Sequence, residues 1–441
     1  MAGVRRSVGR AAAVAVAGAI VLSSASAASA DPATDGFWYF DIYGVQAAHD
    51  QGFTGKGITI AVLDTQINLD VPTLQGADIE VQDAACYEKD GTLIPAESSD
   101  ITADHATNIV SYLVGTGAGY PGQTGVKGIV PDAKIIFTNV GRSVGDGTAY
   151  CYGAEEGEDS LAMANGIQAA IDADADIISA STLGTGDAPQ IVALAQALHQ
   201  GIPVIASVSN DLLSETVGLF PGTANGVVGV QSMDSSLNLQ GDTPESSFDD
   251  RVDRNTDVVG AGVGIVWQGD GTWEKQKYAR GTSLATPIVA GLLALVAEKY
   301  PDATGNQLVQ TLINNTGKED HPLEYDTEQR YGYGVASLEH MLRVDPTKYE
   351  DVNPLIFDDK RQVPTAAQIA NPPTLAEYEG VTDDPSNSDD PPAAGSDGLP
   401  VLPIVLGIVG VLVVIGIIIL IVVLASRRSR ATTSPPGGGR A

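Results

Sequence analysis

The sequence predicts an α/β domain built on a mostly parallel sheet covered by helices. Between Trp38 and Arg343, short β-rich runs alternate with helix-period stretches. The first such run reads as a buried strand, and turn signals such as Val130-Pro131-Asp132 and the closing Gly201 punctuate the alternation.

Taken in order, Ile58 to Leu63 is a strand that ends at Asp64, and Lys134 to Val140 is a second strand. Leu161 to Ala173 reads as a helix and Asp176 to Ser179 as a strand. Gln190 to Gln200 is a helix, Pro203 to Ser207 a strand, and Val227 to Val230 a short strand. Ser283 to Tyr300 is a long apolar helix that opens after Gly281-Thr282. No internal repeat is visible.

The chain is 441 residues long and 43% apolar, enough for one large domain with export and anchoring segments. Its 24 basic and 55 acidic side chains give a net charge of −31, which repels nucleic acid and anionic lipid surfaces. Residues 1–30 read as a signal peptide. Arg5, Arg6 and Arg10 are basic, Ala11 to Val21 is apolar, and Ala28-Ser29-Ala30 supplies small residues for cleavage.

Residues 399–425 hold the expected transmembrane helix. Its uncharged core, Ile404 to Leu424, is roughly 31 Å long at about 1.5 Å per residue, close to the thickness of a hydrocarbon core. Arg427, Arg428 and Arg430 follow, so the tail 426–441 is expected in the cytoplasm and the rest outside the plasma membrane. Residues 31–350 would form the folded domain. The stretch 351–398, rich in Pro, Asp, Ser and Ala, reads as a disordered or polyproline spacer. In an exported region the isolated pair Cys86 and Cys151 reads as a disulfide; neither has a neighbouring His that would suggest a metal site.

The densest chemical signal is Gly281-Thr-Ser-Leu-Ala-Thr-Pro-Ile-Val-Ala-Gly291. A serine at a glycine-preceded helix start exposes its Oγ, and its N–H points where a tetrahedral oxyanion would form. Pro287 is expected in the first turns, where its missing N–H is tolerable. By composition alone the segment also reads as a capped, buried helix. Asp64, taken alone, reads as a solvated strand-end carboxylate.

This string matches throughout the nucleophile signature of the subtilisin family of serine proteases, Gly-Thr-Ser-x-Ala-x-Pro-x-Val-Ala-Gly, and the resemblance runs from about Trp38 to Leu342. It implies a doubly wound, mostly parallel sheet with helices on both faces, peptide-bond hydrolysis, and no catalytic cofactor or metal. The chain order Asp, His, Ser implies Asp64 in Ala61-Val-Leu-Asp-Thr65, His105 as general base, and Ser283 as nucleophile. Of the histidines at 49, 105, 199, 321 and 340, chain order leaves His105. Asn210 matches the oxyanion asparagine after a strand, and Ser179-Ala-Ser-Thr-Leu-Gly184 resembles the substrate-pairing segment, which makes Ser181, Leu183 and Gly184 candidate substrate contacts.

The chain departs from the family pattern at Gln66, Ala106, Ser209 and Ser111, where glycine is usual; each adds atoms near the expected cleft. The short stretch between Ala30 and Asp64 leaves no room for a folded prosegment. With the Trp38-Tyr-x-x-Asp opening, the acidic spacer and the C-terminal anchor, this architecture resembles the mycosins, membrane-anchored subtilases associated with type VII secretion. The resemblance implies an extracytoplasmic endopeptidase acting on exported proteins or peptides, with a type VII secretion complex as partner. The rival reading is a catalytically weak or inactive pseudoprotease that acts as a structural component of such a complex.

Overall fold

The computed structural model describes residues 36–382, apart from 83–85, 145–146, 154–160, 183, 211–219, 241–254, 327–329 and 359–362. The expected signal peptide, membrane span and cytoplasmic tail lie outside the described residues, as does the end of the expected spacer.

Two short helices, α1 (Trp38–Ile42) and α2 (Val45–Asp50), lead into the sheet. Its strands are β1 (Thr59–Asp64), β2 (Ile79–Val81), β3 (Lys134–Asn139), β4 (Ile177–Ala180), β5 (Val204–Ser207), β6 (Val228–Met233) and β7 (Val258–Ala261). They pair in the order β7-β6-β5-β4-β1-β3-β2, every neighbour parallel. After β1 the chain builds one side, β2 and β3; after β3 it crosses to the other and builds β4 to β7 outward. The reversal falls between β1 and β4, and an open α/β sheet has its crevice at the carboxyl ends of such strands.

The two-residue alternation of a strand sorts this sheet into two cores. On β1, Ile60 and Val62 join one cluster, with Ile177, Ile205 and helices α3 (Asp104–Val114) and α6 (Thr282–Lys299). Ala61 and Leu63 join the other, with Ile178, Ala206 and helices α4 (Ala162–Asp172) and α5 (Ala188–His199). Asp64 continues the even-numbered set, so it faces α3. Helix α6 is apolar on all sides and long enough to cross a membrane, but 89% of it is buried, which makes it the central helix of the core. An antiparallel hairpin, β8 (Val263–Gln268) with β9 (Gln276–Arg280), precedes α6.

Helices α1 and α2 are part of this core. Tyr39 is fully buried edge-on to Tyr112 and donates its hydroxyl to the Lys127 carbonyl at 2.7 Å, while Tyr43 Oη accepts the Ala261 N–H at 2.8 Å. The disulfide expected between Cys86 and Cys151 is present and ties the strand Cys86–Tyr87 to the end of the hairpin strand Gly147–Tyr150.

Two expectations are corrected. The described part of the expected spacer is folded onto the domain: Leu355 and Ile369 are buried, and Asn225 donates to the Phe357 and Pro364 carbonyls. A capping box between Thr365 and Gln368 starts the helix Ala366–Ala370. The compact unit runs to Glu379. A few well-spaced apolar anchors suffice, and the surrounding Pro and Asp residues hid them in the average composition. Pro287 is the second correction. With Thr282 as the first residue of α6, it is the sixth helical residue, inside the helix and past the N–H groups that go free at its start, so its missing N–H costs a helical bond.

Candidate active site

Three neighbouring strand ends deliver the predicted residues to one edge. Asp64 ends β1, Ser181 follows β4, and Asn210 follows β5. The register pairs Leu63 with Ala180, so Asp64 and Ser181 stand level, one residue on, across strands about 4.8 Å apart. Helices α3 and α6 bring His105 and Ser283 to the same edge, each as the second residue of its helix.

Asp64 is completely buried, and its Oδ1 accepts from His105 Nδ1 at 2.7 Å and from the Thr65 N–H at 2.6 Å. The bond fixes the tautomer: with Nδ1–H given to Asp64, a neutral imidazole presents Nε2 as a base. About a fifth of the His105 side chain remains exposed (19%). Burial pulls its pKa down, but the Asp64 charge, the hydrogen bond and the Asp104 charge outweigh burial and raise it above the ordinary value. Asp104 is held by Trp267 Nε1 at 2.9 Å, and the Trp267 ring stands 5.9 Å edge-on from the imidazole. Neither residue was singled out in the sequence; an acidic neighbour of the histidine was the one signal available.

The other four histidines are engaged elsewhere. His49 bonds the Ile129 carbonyl, His199 the Ile369 carbonyl, His321 Thr316, and buried His340 Asp320.

Ser283 lies at the mouth of α6, 7% exposed. A Cβ on Gly281 would sit 3.1 Å from Ser283 Oγ and 3.7 Å from Asn210 Oδ1, which places both atoms around one point and leaves little room there for a side chain. As the second helical residue, Ser283 has an N–H for which the helix supplies no partner. Asn210 Oδ1 accepts from the Thr282 N–H at 2.8 Å and from Gln240 Nε2 at 3.0 Å. With the oxygen so engaged, the exposed amide has Nδ2 left as a donor.

Of the expected substrate contacts, Ser181 is buried and donates its Oγ to the Ser283 carbonyl at 2.9 Å. Gly184 gives its N–H to the Phe220 carbonyl at 2.6 Å, so that amide is engaged within the domain. Leu183 lies outside the described residues.

Three of the four departures from glycine are accommodated. Gln66 is not among the positive-φ residues and turns its amide to the Pro95 carbonyl at 2.9 Å. Ala106 is fully buried, and Ser111 bonds the Thr107 carbonyl within its own helix. Among the described residues, no group of three His, Cys, Asp or Glu side chains could hold a metal ion.

Comparison with known proteins places this arrangement. The subtilase family (peptidase S8) matches residues 55–334. Subtilisin NAT from Bacillus subtilis subsp. natto is 30% identical over 270 residues, which covers 59% of this chain and 61% of that protein. The chain therefore spans about three-fifths of that relative's length. Subtilisin DY from Bacillus licheniformis is 28% identical over 298 residues, 66% of this chain and 92% of that protein. In fold, the chain resembles fervidolysin from Fervidobacterium pennivorans, a keratinolytic enzyme related to subtilisin. The TM-score is 0.51 at 22% identity, over 70% of this chain and 45% of that one.

Proposed function

Because the chain belongs to the subtilase family, we propose that it is a serine endopeptidase in which Ser283, His105 and Asp64 form the catalytic triad and Asn210 donates to the oxyanion. The observation that carries this reading is the 2.7 Å bond from His105 Nδ1 to buried Asp64, at the sheet edge where α6 also presents Ser283.

In the proposed reaction Ser283 Oγ attacks the scissile carbonyl while His105 Nε2 takes its proton. Asp64 holds the imidazole and stabilises the imidazolium. The negative charge that develops on the substrate oxygen is met by the Ser283 N–H and by Asn210 Nδ2. His105 then returns the proton to the leaving amine, and water releases the acyl group by the same route.

The proposed setting is the outer face of the plasma membrane, with exported proteins or peptides as substrates. It is supported by the signal-like N-terminus, the apolar run Ile404 to Leu424 and the arginines after it. The architecture resembles the mycosins, which supports a partner in a type VII secretion complex.

A serine-reactive phosphonate probe tests the reading. Labelling of the wild type and its loss in Ser283→Ala are expected. Equal rescue of a secretion defect by Ser283→Ala and by wild type would favour the pseudoprotease scaffold instead.

A further inference from the structure

Asn210 can serve an oxyanion only if its amide keeps the right way round, with Nδ2 outward. Thr282 secures this in part through its N–H; its hydroxyl is also near Asn210 Oδ1, at 3.1 Å, but stands closer to the Val208 carbonyl, at 2.7 Å, and has one proton to give. The second full donor to Asn210 Oδ1 is Gln240 Nε2 at 3.0 Å. We propose that Gln240 is a positioning residue for the oxyanion donor: it locks the Asn210 amide in the orientation that presents Nδ2 to the reacting carbonyl. This rests on the reading of Asn210 as that donor.

Gln240 is itself anchored from behind. Its Oε1 accepts the hydroxyl of Ser232, a fully buried residue of β6, and its backbone N–H bonds the Ser232 carbonyl at 2.8 Å. Reversing the Gln240 amide would set its oxygen against Asn210 Oδ1, two acceptors facing with no proton between them. The chain of bonds runs from the core of β6 through Gln240 and Asn210 to Thr282, the neighbour of Ser283. A preorganised donor needs no reorientation as charge develops, which is where such groups gain their catalytic effect.

The test uses the full-length protein in detergent and a chromogenic peptide amide. Gln240→Glu removes the donor and puts an acceptor in its place, which favours a reversed Asn210. Roughly a tenfold or greater loss in kcat is expected, with KM within about twofold, since one oxyanion donor is worth about 100- to 1,000-fold. Gln240→Met, which deletes the bond without reversing it, is expected to lose only a few-fold. In an Asn210→Ala background neither substitution should reduce kcat further. Wild-type kcat in Gln240→Glu, or a loss that persists undiminished beside Asn210→Ala, overturns the proposal. If Asn210→Ala itself keeps wild-type kcat, the oxyanion assignment falls and this inference falls with it.

Discussion

Ser181 Oγ donates to the carbonyl of Ser283 at 2.9 Å, and that carbonyl is the one Pro287 leaves without its helical partner. In a regular helix the N–H of residue 287 would bond the oxygen of residue 283, four positions back. Proline has no N–H, so a buried carbonyl under the nucleophile would be orphaned. A serine at the end of the neighbouring strand replaces the missing donor and ties α6 to the edge that carries Asp64.

Ser181→Ala is therefore expected to cost about 1–3 kcal/mol, the penalty for an unsatisfied buried acceptor, and to lower kcat through loss of Ser283 placement. Pro287→Ala restores a backbone donor to the same oxygen. The loss caused by Ser181→Ala should shrink when both substitutions are combined. Urea unfolding of the four proteins measures the coupling; strict additivity would show that the two residues do not share this carbonyl.

The acid limb of kcat/KM should report His105, which must be neutral to act as a base. Its raised pKa places the midpoint above the ordinary value of about 6.5. Asp104→Asn removes one of the raising charges, so the midpoint should move to lower pH. The sign for stability is opposite to that for activity. The imidazolium–carboxylate contribution is full below the unfolded value and is lost as pH rises through the higher folded one. A pH–rate profile of both proteins checks this, and an unmoved midpoint in Asp104→Asn would count against the Asp104 contribution.

The Cys86–Cys151 bridge closes a loop with a sequence separation of 65. On chain entropy its removal is worth up to about 4 kcal/mol, and about 2–4 is the usual range. Segment 86–97 also approaches the site, because the Pro95 carbonyl accepts from Gln66, two residues past Asp64. Cys86→Ser with Cys151→Ser should therefore lower the urea midpoint and raise KM more than it lowers kcat. Unchanged stability would contradict the predicted cost.

Tyr43 Oη accepts the N–H of Ala261 inside the core. Tyr43→Phe leaves that donor buried and unpaired, which should cost about 1–3 kcal/mol. A larger drop is expected from Tyr39→Ala, which empties a fully buried site against Tyr112, at about 3–5 kcal/mol. Thermal unfolding of the two variants checks whether α1 and α2 are integral to the domain or an ornament on it.

Much of this was legible in the sequence, for physical reasons. β1, β3, β4 and β5 are strands with apolar cores, so their runs announce themselves, and Asp64 stands where β1 stops. The string from Gly281 to Gly291 carries its own constraints: Gly281 for approach to Ser283 Oγ, and Gly291 because a Cβ there would meet Ile129 at 3.0 Å. What escaped was set by distant partners. Nothing local marks Trp267 or Gln240, since each acts through a residue far away in sequence. Helices α1 and α2 are too short for periodicity to show, and the cost of Pro287 is hidden because the donor that replaces its N–H, Ser181, is far away in sequence.

The central claim is that Asp64, His105 and Ser283 act as one unit, and a comparison of kcat among single and combined substitutions tests it most directly. Asp64→Asn, His105→Ala and Ser283→Ala are each expected to lower kcat by roughly 10,000-fold or more, and the triple variant to be no slower than the worst single one. Near wild-type turnover in any single variant, or losses that multiply in the triple, would contradict the account.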